Sequence, residues 1–311
     1  MATLTAIVPA TDSPPALERC LAAIAAALDP PEELIVISEP PLLSEAVARN
    51  RAADQASGDL LVFVDADVEV HVDVFRHIRA AFEHDAELSG LIGSYDDCVA
   101  TSGTVAAFRN LLHHHVHQRS AGVVSSFWTG LGAIRRETFL AAGGFDEKRV
   151  SSAIQDVEFG ARIAASGVKI ELDPELLGTH LKEWTLRSMV ETDFRRRGVP
   201  WIRFLLRERS LPATFNLSWR DRSSAVLVLT ALGAVVTRKP IAAAAATGGL
   251  IVLNRRFYGL LRDRGGLPLA TAGVGLHAVH HLTAIASVPA GIAAHFRNAL
   301  RNRSQRRRLR S

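Results

Sequence analysis

Leu60-Leu61-Val62-Phe63-Val64 runs straight into Asp65-Ala66-Asp67, and few chain arrangements tolerate that junction. Five uncharged apolar residues read as a fully buried strand. Two carboxylates delivered at the end of such a strand are costly unless something compensates them. A divalent cation is the natural compensator, because hard cations take oxygen ligands and complete their shell with substrate phosphates. The strand period of two turns Asp65 and Asp67 to one side, toward one ligand. The competing reading is an Asp that only caps a turn.

The flanking pattern says what kind of sheet holds this strand. Residues 3–9 are an apolar run ending at Pro9, and Leu17, Leu21, Ile24 and Leu28 follow at helical spacing. Glu33 to Ile37 is a second strand, and Ser44 to Ser57 a helix with Ser44 as N-cap and Gly58 as its stop. Strand, helix, strand, helix, strand implies a parallel sheet with crossover helices. Ligands of such sheets bind beyond the carboxyl ends of the strands, where Asp65 and Asp67 lie. Further on, the pattern predicts a helix over 74–82, a strand over 90–95 and a helix over 104–119. The last carries His113, His114, His115 and His117. Only His113 and His117 share a face, so the cluster reads as a polar face or loop contact rather than a metal site.

The 311 residues suffice for one large domain, or a domain with an appendage, and 48% hydrophobic with 22% charged residues excludes disorder. Cys20 and Cys98 have no metal-ligand spacing and make no disulfide framework, which fits a reducing compartment. The start of the chain enters a strand with no basic stretch or small-residue cleavage site, so no secretory signal is expected. The net charge of +4 is uneven: Arg297 to Arg310 holds seven arginines and no acid. Such a tail suits anionic lipid headgroups. No aromatic residue interleaves it after Phe296, which leaves nucleic acid without a stacking platform; a merely solvated tail is the other reading.

Three stretches, 223–236, 241–253 and 267–294, are almost free of charge. The first two fall short of the roughly 20 residues a spanning helix needs and suit a re-entrant hairpin or interfacial helices. The third is long enough but is interrupted by His277, His280, His281 and Pro289. An Ala-rich helical subdomain in water is the alternative. With Arg220, Arg222 and the basic tail placed inside by the positive-inside rule, the expectation is membrane association that leaves both flanks on the cytoplasmic face.

Several short motifs occur in order. Ile7-Val8-Pro9-Ala10 ends the first strand, and Ala48-Arg49-Asn50 precedes Asp65-Ala66-Asp67. Thr129-Gly130 leads to Ile134-Arg135-Arg136-Glu137 and Gly143-Gly144-Phe145-Asp146-Glu147. Gln155-Asp156-Val157-Glu158-Phe159-Gly160, Arg162-Ile163 with Gly167, and His180 complete the series. Over residues 3–200 this order resembles the inverting family 2 glycosyltransferases of the GT-A fold. The apolar C-terminal region, with Asn254-Arg255-Arg256-Phe257-Tyr258, looks like the membrane-associated bacterial branch.

The resemblance implies a Rossmann-like, mostly parallel sheet flanked by helices, with a C-terminal apolar helical membrane region. It implies a catalytic domain over 1–210, a membrane-associated helical region over 211–296 and a basic cytoplasmic tail over 297–311. The protein would sit at the cytoplasmic membrane with its catalytic domain in the cytoplasm. Pro9 and Ala10 would border the nucleotide base, and Arg49 would meet the base or a phosphate. Asp65 would meet the ribose or sugar, Asp67 the metal (Mg2+ or Mn2+), and His180 would join that metal from a later loop. Asp156 would be the catalytic base. Arg195, Arg196 or Arg197 would meet the diphosphate or an acceptor phosphate, with Arg196 the chosen one. Trp128 and Gly130 would lie on the acceptor side. The donor would be UDP- or GDP-linked and the acceptor lipid-linked.

The residue types suit those roles. Inverting transfer needs a carboxylate to take the acceptor proton, a cation to neutralise the leaving diphosphate and a guanidinium to grip phosphate oxygens. Each residue also has a plainer reading: Asp156 as a helix N-cap, His180 as a packing histidine, Trp128 and Trp184 as core. Gly143-Gly144-Phe145 reads as a turn with Gly at positive φ and Phe145 buried. Three departures from the family pattern stand out. Ser38-Glu39 replaces a base-binding Asp, with Glu39 a possible substitute; Gln155 replaces a Glu; Thr11-Asp12 replaces an aromatic-polar pair. They keep a second reading open, a GT-A-like nucleotide-binding scaffold without turnover. A nucleotidyltransferase ranks lower, since residues 10–16 contain no Gly, Lys or Arg.

Overall fold

Apolar strand and helix alternate from the start of the chain, and the architecture follows from burying both faces of those strands. The computed structural model describes residues 2–11, 15–38, 43–147, 152–208 and 218–308. Glu39, Asp12 and the last tail residues lie outside them. Strand β1 (Leu4–Pro9) leads through α1 (Leu17–Ala26) to β2 (Glu33–Ile37), and α2 (Glu45–Gln55) to β3 (Leu60–Val64). Ser44 caps α2 as expected, its Oγ accepting from Val47 N at 3.3 Å. Next come β4 (Val68–Val70), α3 (Val74–His84), β5 (Leu88–Tyr95) and α4 (Thr104–Gln118). After β6 (Gly122–Val123) follow β7 (Leu131–Arg135), α5 (Arg136–Ala141), α6 (Gln155–Ala165) and β8 (Lys169–His180).

The strands form one sheet in the order β2-β1-β3-β7-β5-β8-β4, with β6 beside β8. β1 pairs in parallel with β2 and β3, and β5 with β8. β7 is antiparallel to both β3 and β5, and β4 and β6 are antiparallel to β8. The sheet is therefore mixed rather than mostly parallel. A run of buried apolar residues carries no direction, so β7 was indistinguishable from a parallel strand by pattern.

Alternate residues of the central strands serve two separate cores. Leu4, Ala6 and Val8 with Leu60, Val62 and Val64 face Cys20 and Ile24 of α1 and Val74, Phe75 and Ile78 of α3. Ile7, Leu61 and Phe63 face the other way, onto Ala52 of α2, Phe139 of α5 and Phe159 and Ile163 of α6. Both faces are covered, which is why these strands read as continuous apolar runs. The Gly143-Gly144 turn, with φ of 75° and 67°, delivers Phe145 into the second core as expected. Asn50 of α2 clamps that turn, donating to Phe145 O and accepting from Phe145 N, both at 2.9 Å.

Beyond β8 the chain is helical. α7 (Leu186–Glu191) runs into a π-helical turn, Thr192–Gly198, and α8 (Val199–Glu208). α9 (Trp219–Val236) and α10 (Pro240–Leu253) form an antiparallel hairpin. α11 (Arg255–Arg308) is broken at Gly265 and Gly266 into helices over 255–264 and 267–308. These boundaries reproduce the three expected segments. Among the described residues no helix is long and apolar enough to cross a membrane, the third segment included. The helix over 267–308 packs on α4, α8 and the π-helical turn. Phe257, Tyr258, Leu261 and Leu269 share a third core with Phe108, Leu111 and Trp184. The histidines that interrupt the third segment are the reason it docks: His277 and His281 are buried against protein.

Candidate active site

β1, β3 and β8 run the same way, and their carboxyl ends meet at one edge of the sheet. Pro9 and Ala10 lie buried there, with Ala10 N donating to Ile37 O at 2.9 Å. Strand geometry stops at Val64. Asp65 N donates to Gly130 O, Val68 N to Asp65 O and Leu181 N to Asp67 O. The Asp65-Ala66-Asp67 turn is thus pinned between the start of β7 and the end of β8. Because it is a turn, the period of two no longer applies, and the two carboxylates have different partners. The strand alternation expected to turn both carboxylates to one side therefore ends at Val64.

Asp65 accepts from Arg49 Nη2 at 2.6 Å, and Arg49 Nη1 donates to Glu45 at 3.2 Å. Arg49 is buried on α2, so its guanidinium is committed to carboxylates. Burial raises the Asp65 carboxyl above its ordinary value; Arg49 opposes that, and Asp67 adds to it.

Asp67 faces His180 and Lys182 instead. Its Oδ2 lies 3.7 Å from both His180 Nε2 and Lys182 Nζ. Burial would raise the Asp67 carboxyl, but His180 and Lys182 outweigh it and hold it below its ordinary value. His180 is clamped from behind. Its Nδ1 meets Asn110 Oδ1 at 2.7 Å, and Asn110 Nδ2 donates to His180 O at 3.3 Å. An amide oxygen can only accept, so Nδ1 carries a proton and Nε2 is the ring nitrogen turned to Asp67. The ring stacks on Tyr95 with centroids 4.1 Å apart. A fixed tautomer backed by a hydrogen bond is how a metal-ligating histidine is held. The 3.7 Å gap is too long for a hydrogen bond and leaves room for one cation between the two atoms. Among the described residues no three such side chains converge on a metal, so a cation here would draw its other ligands from substrate and water.

Asp156 sits in the first turn of α6, not at its N-cap, which is Ile154. Its carboxylate accepts from Val157 N at 2.9 Å, and its carbonyl takes Phe127 N at 3.1 Å. Burial raises its pKa to about 6, although Arg197 pulls the other way. Neighbouring Gln155 donates to Glu45 at 3.3 Å, linking α6 to the Arg49 cluster.

Of the three consecutive arginines, the structure brings Arg197 rather than Arg196 to the site. Arg195 and Arg196 are exposed, while Arg197 is half-buried with Nη1 3.3 Å from His113 Nε2. Trp128 is half-buried edge-on against Tyr95 and His117, and its indole lies over Gly130, where a Cβ would sit 2.2 Å from the ring. Trp184 is buried beneath Arg109 and Lys182. His113 and His117 do share a face, but it turns inward onto Tyr95 rather than outward as a polar face. Asn110, Tyr95, Lys182 and Arg197 complete the site. Of these only Arg197 stood in a recognisable run; an Asn in mid-helix and a Tyr at a strand end give no sequence signal.

A mixed α/β sheet with helices on both faces and a carboxylate turn at its carboxyl edge is GT-A-like in architecture. The chain is similar to the mannosyltransferase PcManGT from Pyrobaculum calidifontis, solved with GDP-Man and Mn2+, at 18% identity and a TM-score of 0.55. The match covers 95% of this chain and 87% of that one, and at this identity it is a likeness of fold. Glucosyl-3-phosphoglycerate synthase from Mycobacterium tuberculosis, solved with Mg2+ and UDP, matches at 16% identity and a TM-score of 0.45 over 68% of this chain and 81% of that one. No curated protein matches in sequence. The family model of glycosyl transferase family 21 matches residues 48–284. The chain belongs to glycosyltransferase family 21, and the glycosyltransferase class expected from its motifs stands while the assignment to family 2 is replaced.

Proposed function

We propose that this glycosyltransferase moves a sugar, with inversion, from a UDP- or GDP-linked donor to a lipid-linked acceptor, using Mn2+ or Mg2+. The observation that carries the reading is the chain of neighbours at the carboxyl edge of one sheet: Asp67 faces His180, Asp65 interacts with Asp67, and Asp156 interacts with Asp65 and Arg197. Asp67 and His180 would hold the cation, which when bound neutralises charge on the leaving diphosphate. Asp156 accepts the proton of the acceptor hydroxyl. The acceptor oxygen bonds to the sugar's anomeric carbon, and the bond from that carbon to the diphosphate breaks on the opposite face. The electron pair leaves with the nucleoside diphosphate. Arg197 and Lys182 donate to phosphate oxygens. Arg49 orients Asp65 toward the donor, and Pro9 and Ala10 border the base. Asp156, with a pKa raised to about 6, suits a base and favours turnover over the scaffold reading that Gln155 and Ser38 suggest.

The lipid-linked acceptor and a place at the cytoplasmic membrane are supported by the α9–α10 hairpin. It exposes Val226, Leu229, Leu232, Val235 and Val236 between Arg220 and Arg222 at one end and Arg238 and Lys239 at the other, with Ile241 exposed just beyond the second pair. Apolar residues between basic flanks fit an interfacial helix on anionic lipid.

The test is nucleoside diphosphate release from a panel of nucleotide sugars, with Mn2+ or Mg2+ and membrane lipid extract as acceptor source. Asp156→Asn should lower turnover about 10²–10⁴-fold. Since the unprotonated carboxylate is the active form, kcat/KM should rise through a pH of about 6 and fall about tenfold per unit below it. Release that survives in Asp156→Asn would overturn the assignment of the base. Absence of release with every donor, with and without the extract, would overturn the transferase reading.

A further inference from the structure

The π-helical turn that carries Arg197 is held from two sides, and one of them is the C-terminal helix. Asp193, at the start of the turn, is buried. Arg109 of α4 grips it with both guanidinium arms, Nη2 to Oδ1 at 2.6 Å and Nη1 to Oδ2 at 3.1 Å. His280 of the helix over 267–308 places Nδ1 2.7 Å from Asp193 Oδ2. Burial alone would raise the Asp193 carboxyl, but Arg109 and His280 outweigh it and hold it well below the ordinary carboxylate range. One turn along α4 from Arg109, His113 meets Arg197, four residues after Asp193. Two rungs therefore join the same pair of elements, Arg109 to Asp193 and His113 to Arg197. At the far end of the turn a Cβ on Gly198 would lie 2.5 Å from Ser287 Oγ. Ser287 follows His280 by two helical turns, so the C-terminal helix presses on both ends of the segment. A π-helical turn is a strained, uncommon form found at functional sites, and a bidentate buried ion pair supplies fixed geometry.

We propose that Asp193 and His280 are positioning residues which, with Arg109, aim Arg197 at the donor diphosphate, so that the C-terminal helix takes part in building the active site. The inference rests on the transferase reading above. Loss of His280 leaves Asp193 a second acceptor site unfilled and loosens the segment without removing Arg197 itself.

A double-mutant cycle tests this. GDP and UDP, each with Mn2+, are titrated calorimetrically into the full chain as wild type, His280→Ala, His280→Asn, Arg197→Ala and His280→Ala with Arg197→Ala. Arg197→Ala should weaken diphosphate binding by about tenfold or more, the scale of a charge-assisted contact. His280→Ala should weaken it roughly three- to tenfold in the wild-type background and leave it unchanged once Arg197 is gone. His280→Asn, which restores a donor near the Nδ1 position, should recover most of the loss. In turnover, His280→Ala should raise the donor KM more than it lowers kcat. Equal weakening by His280→Ala with and without Arg197, or no weakening at all, would overturn the inference while leaving the transferase reading intact. A wild type that binds neither diphosphate would overturn both. Should His280→Ala fail to fold, Asp193→Asn, alone and with Arg197→Ala, carries the same cycle with the same expected outcomes.

Discussion

The stretches 223–236 and 241–253 of the α9–α10 hairpin and the stretch 267–294 of the C-terminal helix are all nearly free of charge, and the structure treats them in opposite ways. In the hairpin, Val236 is 74% and Ile241 86% exposed, and its buried residues, such as Ala234, Ala246 and Leu250, serve chiefly the contact between its own two helices. In the helix over 267–308, His277, His281, Thr283 and Ser287 are buried against the rest of the protein. Tyr258 OH meets His277 Nδ1 at 2.9 Å, and His277 meets His281 at 3.0 Å. The polar residues that made this helix a poor spanning segment are the ones that dock it. Burial of a polar group is tolerated only with a partner, so the pairs Tyr258–His277 and Asp193–His280 specify where the helix sits, Thr283 and Ser287 are satisfied by carbonyls of their own helix, and valine and alanine specify only that they leave water.

The comparison breaks first at its strongest contact. Arg109→Ala strands the buried Asp193 carboxylate and should destabilise the protein by about 3–5 kcal/mol, read as a lower denaturant midpoint with the C-terminal helix released. A change below about 1 kcal/mol would mean that the docked helix is held by apolar contacts alone. Tyr258→Phe removes one buried hydrogen bond and should cost about 1 kcal/mol; a neutral result would show that His277 is satisfied by His281. The hairpin should respond least. Val235→Glu with Ile241→Glu should shift stability by no more than about 0.5 kcal/mol each, the usual range for exposed sites, while co-sedimentation with anionic vesicles falls several-fold. Strong destabilisation would show that this face is packed against protein, and unchanged vesicle binding would separate it from the lipid surface.

Much of the fold was legible in the chain. Ser44, Gly58 and the apolar runs marked β1, α2 and β3 nearly to the residue, because caps and buried strands leave local signals. The direction of β7 left none. The site was legible in part. Asp65 neighbours both Asp67 and Asp156, and Asp67 faces His180, but Asp65 begins a turn, so strand alternation does not set how the two acids are oriented. The sequence does not separate Arg196 from Arg197: three consecutive arginines on a helix point three ways, and which one faces inward depends on a π-helical register that composition does not encode.

Sequence by itself determined that the chain buries an alternating α/β core and carries its carboxylates at the end of a central strand. Local periodicity and the cost of burying charge suffice for both. Tertiary structure alone decided which partner each carboxylate meets: Arg49 for Asp65, His180 and Lys182 for Asp67, Arg109 and His280 for Asp193. Among those pairs the widest separation in sequence is Asp67 to Lys182, 115 residues. Electrostatic contacts depend on distance through space, which only the packing of distant segments sets.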